Sequence, residues 1–123
     1  MAIVTARDAA DLLAPLFADR PGEALAVLYL DAQRGEIAVD QRAVAGDAIA
    51  LPIRDILHAA LNHNAAGLVV AHSHPSGDPR PSAADIEATV RLAETAAALG
   101  MILHDHLIFA GGDCRSFREM GLL

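Results

Sequence analysis

Gly67-Leu68-Val69-Val70-Ala71-His72-Ser73-His74-Pro75-Ser76-Gly77-Asp78-Pro79-Arg80-Pro81-Ser82-Ala83-Ala84-Asp85 is the stretch on which the reading of this chain turns. Its first five residues form a short apolar run that reads as a buried strand. His72 and His74 extend that run. Side chains alternate faces along an extended chain, so the two imidazoles point one way and Ser73 the other. Three prolines and Gly77 then allow neither strand nor helix to continue. Ser82 follows, with Asp85 three residues later and a helical pattern beyond, which sets Ser82 at a helix N-cap and Asp85 in the first turn. Two imidazoles and one carboxylate are thereby directed to one point. Three protein ligands with a fourth position left for water is the arrangement of catalytic zinc. Ser-x-x-Asp is also an ordinary capping pattern, its acid favoured by the helix dipole, and His-x-His alone occurs by chance. Their combination around one rigid loop favours a metal site.

Upstream of this stretch, Thr5 to Ala18 reads as a helix, with Thr5 as its cap and Leu12, Leu13, Leu16 and Phe17 as its apolar stripe. Pro15 predicts a kink or an early end. Asp19-Arg20-Pro21-Gly22 reads as a turn. Leu25 to Leu30 is a strand opened by Glu23, Gln33-Arg34-Gly35 a hairpin turn, and Glu36 to Val44 the partner strand, ended by Ala45-Gly46-Asp47. A second helix spans Pro52 to Asn62, with proline at a first-turn position that suits it. Downstream, a helix from Ala83 to Leu99 stops at Gly100. Met101 to Phe109 is a strand, Gly111-Gly112-Asp113 a turn, and Cys114 to Phe117 a short last strand. His58 and His63 read as surface or helix-end residues. The order α-β-β-α-β-α-β-β predicts a single α/β (α+β) domain, a mixed sheet flanked by helices.

Composition bounds what such a domain does. With 123 residues, 54% hydrophobic but only 3% aromatic, the core must be built from Ala, Leu, Ile and Val. The formal net charge is −7, and all nine basic residues are arginine. A lysine-free acidic chain is a poor candidate for tight, non-specific binding of nucleic acid. The single cysteine, Cys114, forms no internal disulfide and fits a reducing compartment; nothing beside it suggests a nucleophile. Arg7 and Asp8 close behind Met1 argue against a signal peptide. No apolar run has the length of a membrane span. These features predict a cytoplasmic protein.

The pattern His72-x-His74, seven residues, Ser82, two residues, Asp85 resembles the motif of the JAB/MPN/Mov34 (JAMM) metalloenzymes. The wider text narrows the resemblance to the RadC-like branch. That text is His-Ser-His-Pro-Ser-Gly-Asp-Pro at 72–79, Pro81-Ser82-x-x-Asp85-Ile86, Leu103-x-Asp105-His106-Leu107-Ile108 and Ser116-Phe117-Arg118-Glu119-x-Gly121. The resemblance covers the chain from about Glu23 to Leu123. It implies one RadC-like JAB/MPN domain over 1–123, of the cytidine-deaminase-like architecture, with a core from about residue 20 and one short helix before it. It also implies His72, His74 and Asp85 as ligands of Zn2+. Glu23 then falls at the place of the family's general acid/base, and Ser82 at that of the serine that helps hold the oxyanion. His106 is not assigned as a ligand; with His104 it is expected to line one face of its strand as core or supporting packing.

Two departures from the branch stand out. RadC-like proteins usually carry Asn where this chain has Ser73, the residue that other JAMM branches use. Full-length RadC proteins also have an N-terminal helix-hairpin-helix region, for which this chain offers some twenty residues. The branch's traditional link to DNA repair is therefore expected to be weaker here. The resemblance implies a zinc-dependent hydrolase of a peptide or isopeptide substrate, with a homodimer among the compatible states. The rival is a non-catalytic zinc-binding module of DNA-repair or mobile-element complexes. Glu23 discriminates in part, since a scaffold has no need of it. A deaminase-type zinc site needs His-x-Glu and Pro-Cys-x-x-Cys, and one cysteine excludes it.

Overall fold

The computed structural model describes residues 2–18, 23–43 and 51–123. Along them run α1 (Ala6–Phe17), β1 (Ala24–Leu30), β2 (Glu36–Ala43), α2 (Ile53–Asn62), β3 (Gly67–Ser73), α3 (Ala83–Ala98), β4 (Ile102–Ala110) and β5 (Asp113–Ser116). This is the order expected from the sequence. The turn read at 19–22 and the strand end read at 44–47 lie outside the described residues.

Local chemistry accounts for the helix boundaries. Thr5 caps α1 in a capping box with Asp8, and Ser82 caps α3 in a second one with Asp85. Each box satisfies two backbone donors that a helix start leaves open. Pro15 does not break α1; it sits in the last turn, and the helix ends at Phe17. At the end of α3, Gly100 takes φ +79°. Its N–H donates to Ala97 O and the Met101 N–H to Ala96 O. That is the Schellman pattern, in which the left-handed residue is best a glycine.

The five strands form one mixed sheet in the order β2-β1-β3-β4-β5. β1 pairs antiparallel with β2 and β3, β3 pairs parallel with β4 through the α3 crossover, and β5 returns antiparallel along β4. β1 is buried along its whole length and β3 up to Ser73, because helices cover both faces. On one face Leu25, Val27, Leu68, Val70 and Leu103 pack with Ile56, Leu57 and Ala60 of α2 and Leu92 and Ala96 of α3. On the other, Ala26, Leu28, Val69, Ala71 and Leu107 pack with Ala9 and Leu13 of α1. Small aliphatic side chains suit a sheet covered on both sides, which reads as a continuous apolar run without alternation.

One irregularity in β4 changes what its residues face. Leu68 pairs with Leu103, but Val69 pairs with Asp105, so His104 is an extra residue on the β4 side. Such a bulge reverses the alternation beyond it. Leu103 and His106 therefore share the α2/α3 face, while Leu107 turns to α1. The expectation that His104 and His106 line one face is corrected by this bulge. The His104 ring lies over the start of β3, where a Cβ on Gly67 would come within 2.3 Å of its Nε2.

Asp105, next to the bulge, anchors the C-terminal turn. It is 4% exposed. Its carboxylate accepts the N–H groups of His106 and Arg118 at 2.8 and 3.0 Å and the Ser116 hydroxyl at 2.5 Å. The turn so held stacks the Phe117 ring on His106, with centroids 4.5 Å apart and planes 12° from parallel. Asp105→Ala leaves three donors without an acceptor in a region that water scarcely reaches. The expected loss is about 3 kcal/mol of stability, to be read from urea denaturation.

Candidate metal centre

His72 and His74 leave the C-terminal end of β3, the middle strand, and Asp85 enters from the first turn of α3. The proline loop between them carries no regular structure. His72 Nε2 and His74 Nε2 lie 2.8 Å apart, and Asp85 Oδ2 is 3.8 and 3.4 Å from them respectively. One ligand atom from each of the three lies within 4.8 Å of the other two. The three expected ligands are therefore brought together.

Each is held by a separate support. Asp85 Oδ2 accepts the Ser82 N–H at 2.9 Å, while Ser82 Oγ accepts the Asp85 N–H at 3.0 Å. The capping box thus aims the carboxylate as well as starting the helix. His74 Nδ1 lies 2.8 Å from the carbonyl oxygen of Asp78. Arg80 grips the Asp78 carboxylate through Nε and Nη2, the latter at 2.7 Å, and that hydrogen bonding holds the Asp78 carboxyl down at about 2. His72 Nδ1 lies 2.6 Å from His106 Nε2; His106 Nδ1 lies 2.6 Å from Thr89 Oγ1; and Thr89 Oγ1 lies 2.6 Å from the carbonyl oxygen of Asp85.

Burial sets the charge of the histidines. His72 is 0% exposed, and desolvation pushes its imidazole down to about 4, against the upward pull of Asp85 and with a further push from His74. Burial also holds His106 well below the usual imidazole range. Neutral imidazole is the form that binds metal.

Ser82 is exposed at the helix start, its hydroxyl oxygen already accepting the cap bond. Glu23 immediately precedes β1. The Ala24 N–H donates to Ser73 Oγ at 3.0 Å, and Leu25 pairs with His72. Continuing that antiparallel register sets Glu23 across from His74, on the face shared by Leu25 and His72. The Oε2 of Glu23 is buried and has no hydrogen-bond partner among the described residues. An orphaned carboxylate oxygen beside an imidazole-carboxylate cluster fits a bound cation with its water, since a buried acceptor left unpaired costs free energy.

The remaining candidates fall outside the cluster. His58 is exposed on α2, and His63 is the α2 C-cap residue, its ring 4.9 Å from Tyr29. Burial raises the Cys114 thiol to about 11, so it carries little thiolate at neutral pH. A cleft of about 900 Å³ runs between α1 and the ends of β4 and β5 and reaches Ser73, His74 and Pro75. Alanines 6, 10 and 14 of α1 and the stacked rings of Phe17 and Phe109 are among its walls.

Thr89 is the supporting residue that sequence reading missed, whereas His106 takes the buried supporting place expected of it. Thr89 stands four residues after Asp85, one helical turn on, which was the available signal. No helix among the described residues is long and apolar enough to cross a membrane.

Comparison with known proteins places the chain in a family. The sequence model of the RadC-like JAB domain matches residues 3–122. A UPF0758 protein of Rhodobacter capsulatus is 44% identical over 86% of this chain and 50% of its own length. One of Ruegeria pomeroyi is 40% identical over 86% and 48%, and one of Salinibacter ruber 32% identical over 100% and 53%. The chain spans about half the length of the curated relatives it matches. With the match running from the first helix through the metal loop to the C-terminal turn, the chain belongs to the RadC-like JAB domain family.

Proposed function

We propose that the domain is a zinc-dependent hydrolase that cleaves a peptide or isopeptide bond. The observation that carries this reading is the pairing of a three-ligand cluster with the buried, unpartnered Oε2 of Glu23 at the same end of the sheet. His72, His74 and Asp85 would hold the ion. Zinc bound there supplies Lewis acidity and makes water acidic enough to attack at neutral pH. Glu23 takes a proton from the attacking water and passes it to the leaving amine. Ser82 keeps its oxygen as the acceptor of the cap bond and donates its O–H to the carbonyl oxygen as negative charge develops there. Such a contact is worth about 3 kcal/mol in the transition state. The rigid proline loop lowers the entropy lost in holding the ligands. The cleft that reaches His74 gives an extended substrate chain a path to the site.

The net charge of −7 makes duplex DNA a weak partner at most, and the single cysteine suits the cytoplasm. Protein purified without chelator is expected to contain one zinc per chain by elemental analysis. The zinc-loaded protein is expected to cleave members of peptide or isopeptide libraries. A well-occupied metal site built on His58 or His104 would overturn the ligand assignment. A stoichiometric zinc protein that cleaves nothing in such libraries would transfer the conclusion to the non-catalytic module.

A further inference from the structure

We propose that Thr89 and His106 are positioning residues that fix the ring proton of His72 on Nδ1, so that its Nε2 lone pair always faces His74 and Asp85. This rests on the reading of those three residues as metal ligands.

The deduction starts where the chemistry is unambiguous. The carbonyl oxygen of Asp85 can only accept, so Thr89 Oγ1, 2.6 Å away, donates its one proton there. A helical threonine bonding back to the fourth residue before it is ordinary. With that proton used, Oγ1 accepts from His106 Nδ1, again at 2.6 Å. The His106 ring is 1% exposed and stacked on Phe117, and among the described residues its polar partners are Thr89 and His72, with no carboxylate bonded to it. A charge there would be costly, so the ring is neutral and has one proton. That proton is on Nδ1, and Nε2 accepts from His72 Nδ1 at 2.6 Å. His72, neutral in turn, is left with a bare Nε2. The carbonyl oxygen of Asp78 likewise takes a proton from His74 Nδ1 and turns Nε2 of that ring to the cluster.

With His74 in the neutral form that binds metal, the outcome is two bare nitrogens 2.8 Å apart, facing a carboxylate oxygen at 3.4 and 3.8 Å. Three acceptors in that arrangement call for a cation. An imidazole without such a chain places its proton on either nitrogen, and only one of the two forms can ligate through Nε2. The binding-competent fraction then falls, and the apparent affinity falls with it. The β4 bulge belongs to the same device. If His104 were paired in a regular strand with no bulge, His106 would face α1 and could not stand behind His72.

Long-range proton–nitrogen correlation spectra of the metal-free wild-type protein are expected to show His72, His74 and His106 all protonated on Nδ1. A proton on Nε2 of His72 overturns the proposal, whatever any variant does. The second arm titrates cobalt(II), read by visible absorption. Thr89→Val keeps the shape and removes the hydroxyl; it is expected to bind cobalt about 10–100-fold more weakly and to give His72 a mixture of ring-proton forms. Thr89→Ser restores the hydroxyl and is expected to restore both readouts. A folded Thr89→Val protein with wild-type cobalt affinity and an unchanged His72 overturns the positioning role. Wild-type protein that binds no cobalt overturns the metal reading as well. Cobalt binding as described without any hydrolysis overturns only the proposed activity.

Discussion

His74→Ala is expected to abolish stoichiometric zinc and every activity that depends on it. The imidazole is one of the three groups that could hold the ion among the described residues. Its removal should weaken binding by more than the about 10²-fold that marks the loss of a merely supporting group. The metal-free variant should nonetheless fold. His74 lies at the strand end and is only partly buried, and the bond of its ring to the Asp78 carbonyl is worth about 1 kcal/mol. The effect on stability therefore appears only when zinc is present. A ligand at a thousand times its dissociation constant stabilises the native state by about 4 kcal/mol. Zinc should raise the melting temperature of the wild type and leave that of His74→Ala where it was. Equal zinc-dependent stabilisation of both proteins would remove His74 from the ligand set.

What was legible in the sequence and what was not follows from the range of each signal. The helix starts at Thr5 and Ser82 are local chemistry, written in residues three apart. The strand of residues 67–73 is written in an unbroken apolar run, and the ligands follow from strand alternation plus a cap. Each of these needs only neighbours along the chain. The support behind His72 brings three segments together at once: His72 itself on β3, Thr89 with the Asp85 carbonyl on α3, and His106 on β4. It further depends on a bulge, which alternation alone cannot place. Plain alternation puts Leu103, Asp105 and Leu107 on one face; the extra residue moves His106 onto the face of Leu103. The Asp105 anchor was hidden for the same reason, since its partners Ser116 and Arg118 are eleven and thirteen residues away. The peripheral places of His58 and His63 need no distant segment: one is exposed on α2 and the other caps its end.

Glu23→Gln separates the two roles that zinc can have here. The substitution keeps size and shape and removes the proton acceptor. Because Oε2 of Glu23 is buried without a partner, the neutral amide is no worse accommodated than the carboxylate. Melting temperature and zinc content should barely change. Hydrolysis of a true substrate should fall by about 10²-fold or more, the usual contribution of a positioned general base. A variant that loses zinc as readily as His74→Ala would make Glu23 a fourth ligand, and the open position for water would be gone. A variant that keeps its zinc and cleaves at the wild-type rate would deny Glu23 any part in proton transfer. The ion would then be a structural element at the end of the sheet, and the domain a binding module. Only retention of zinc together with loss of turnover fits three ligands and a separate base. That combination is what the placement of Glu23 across from His74, at the mouth of β1, leads us to expect.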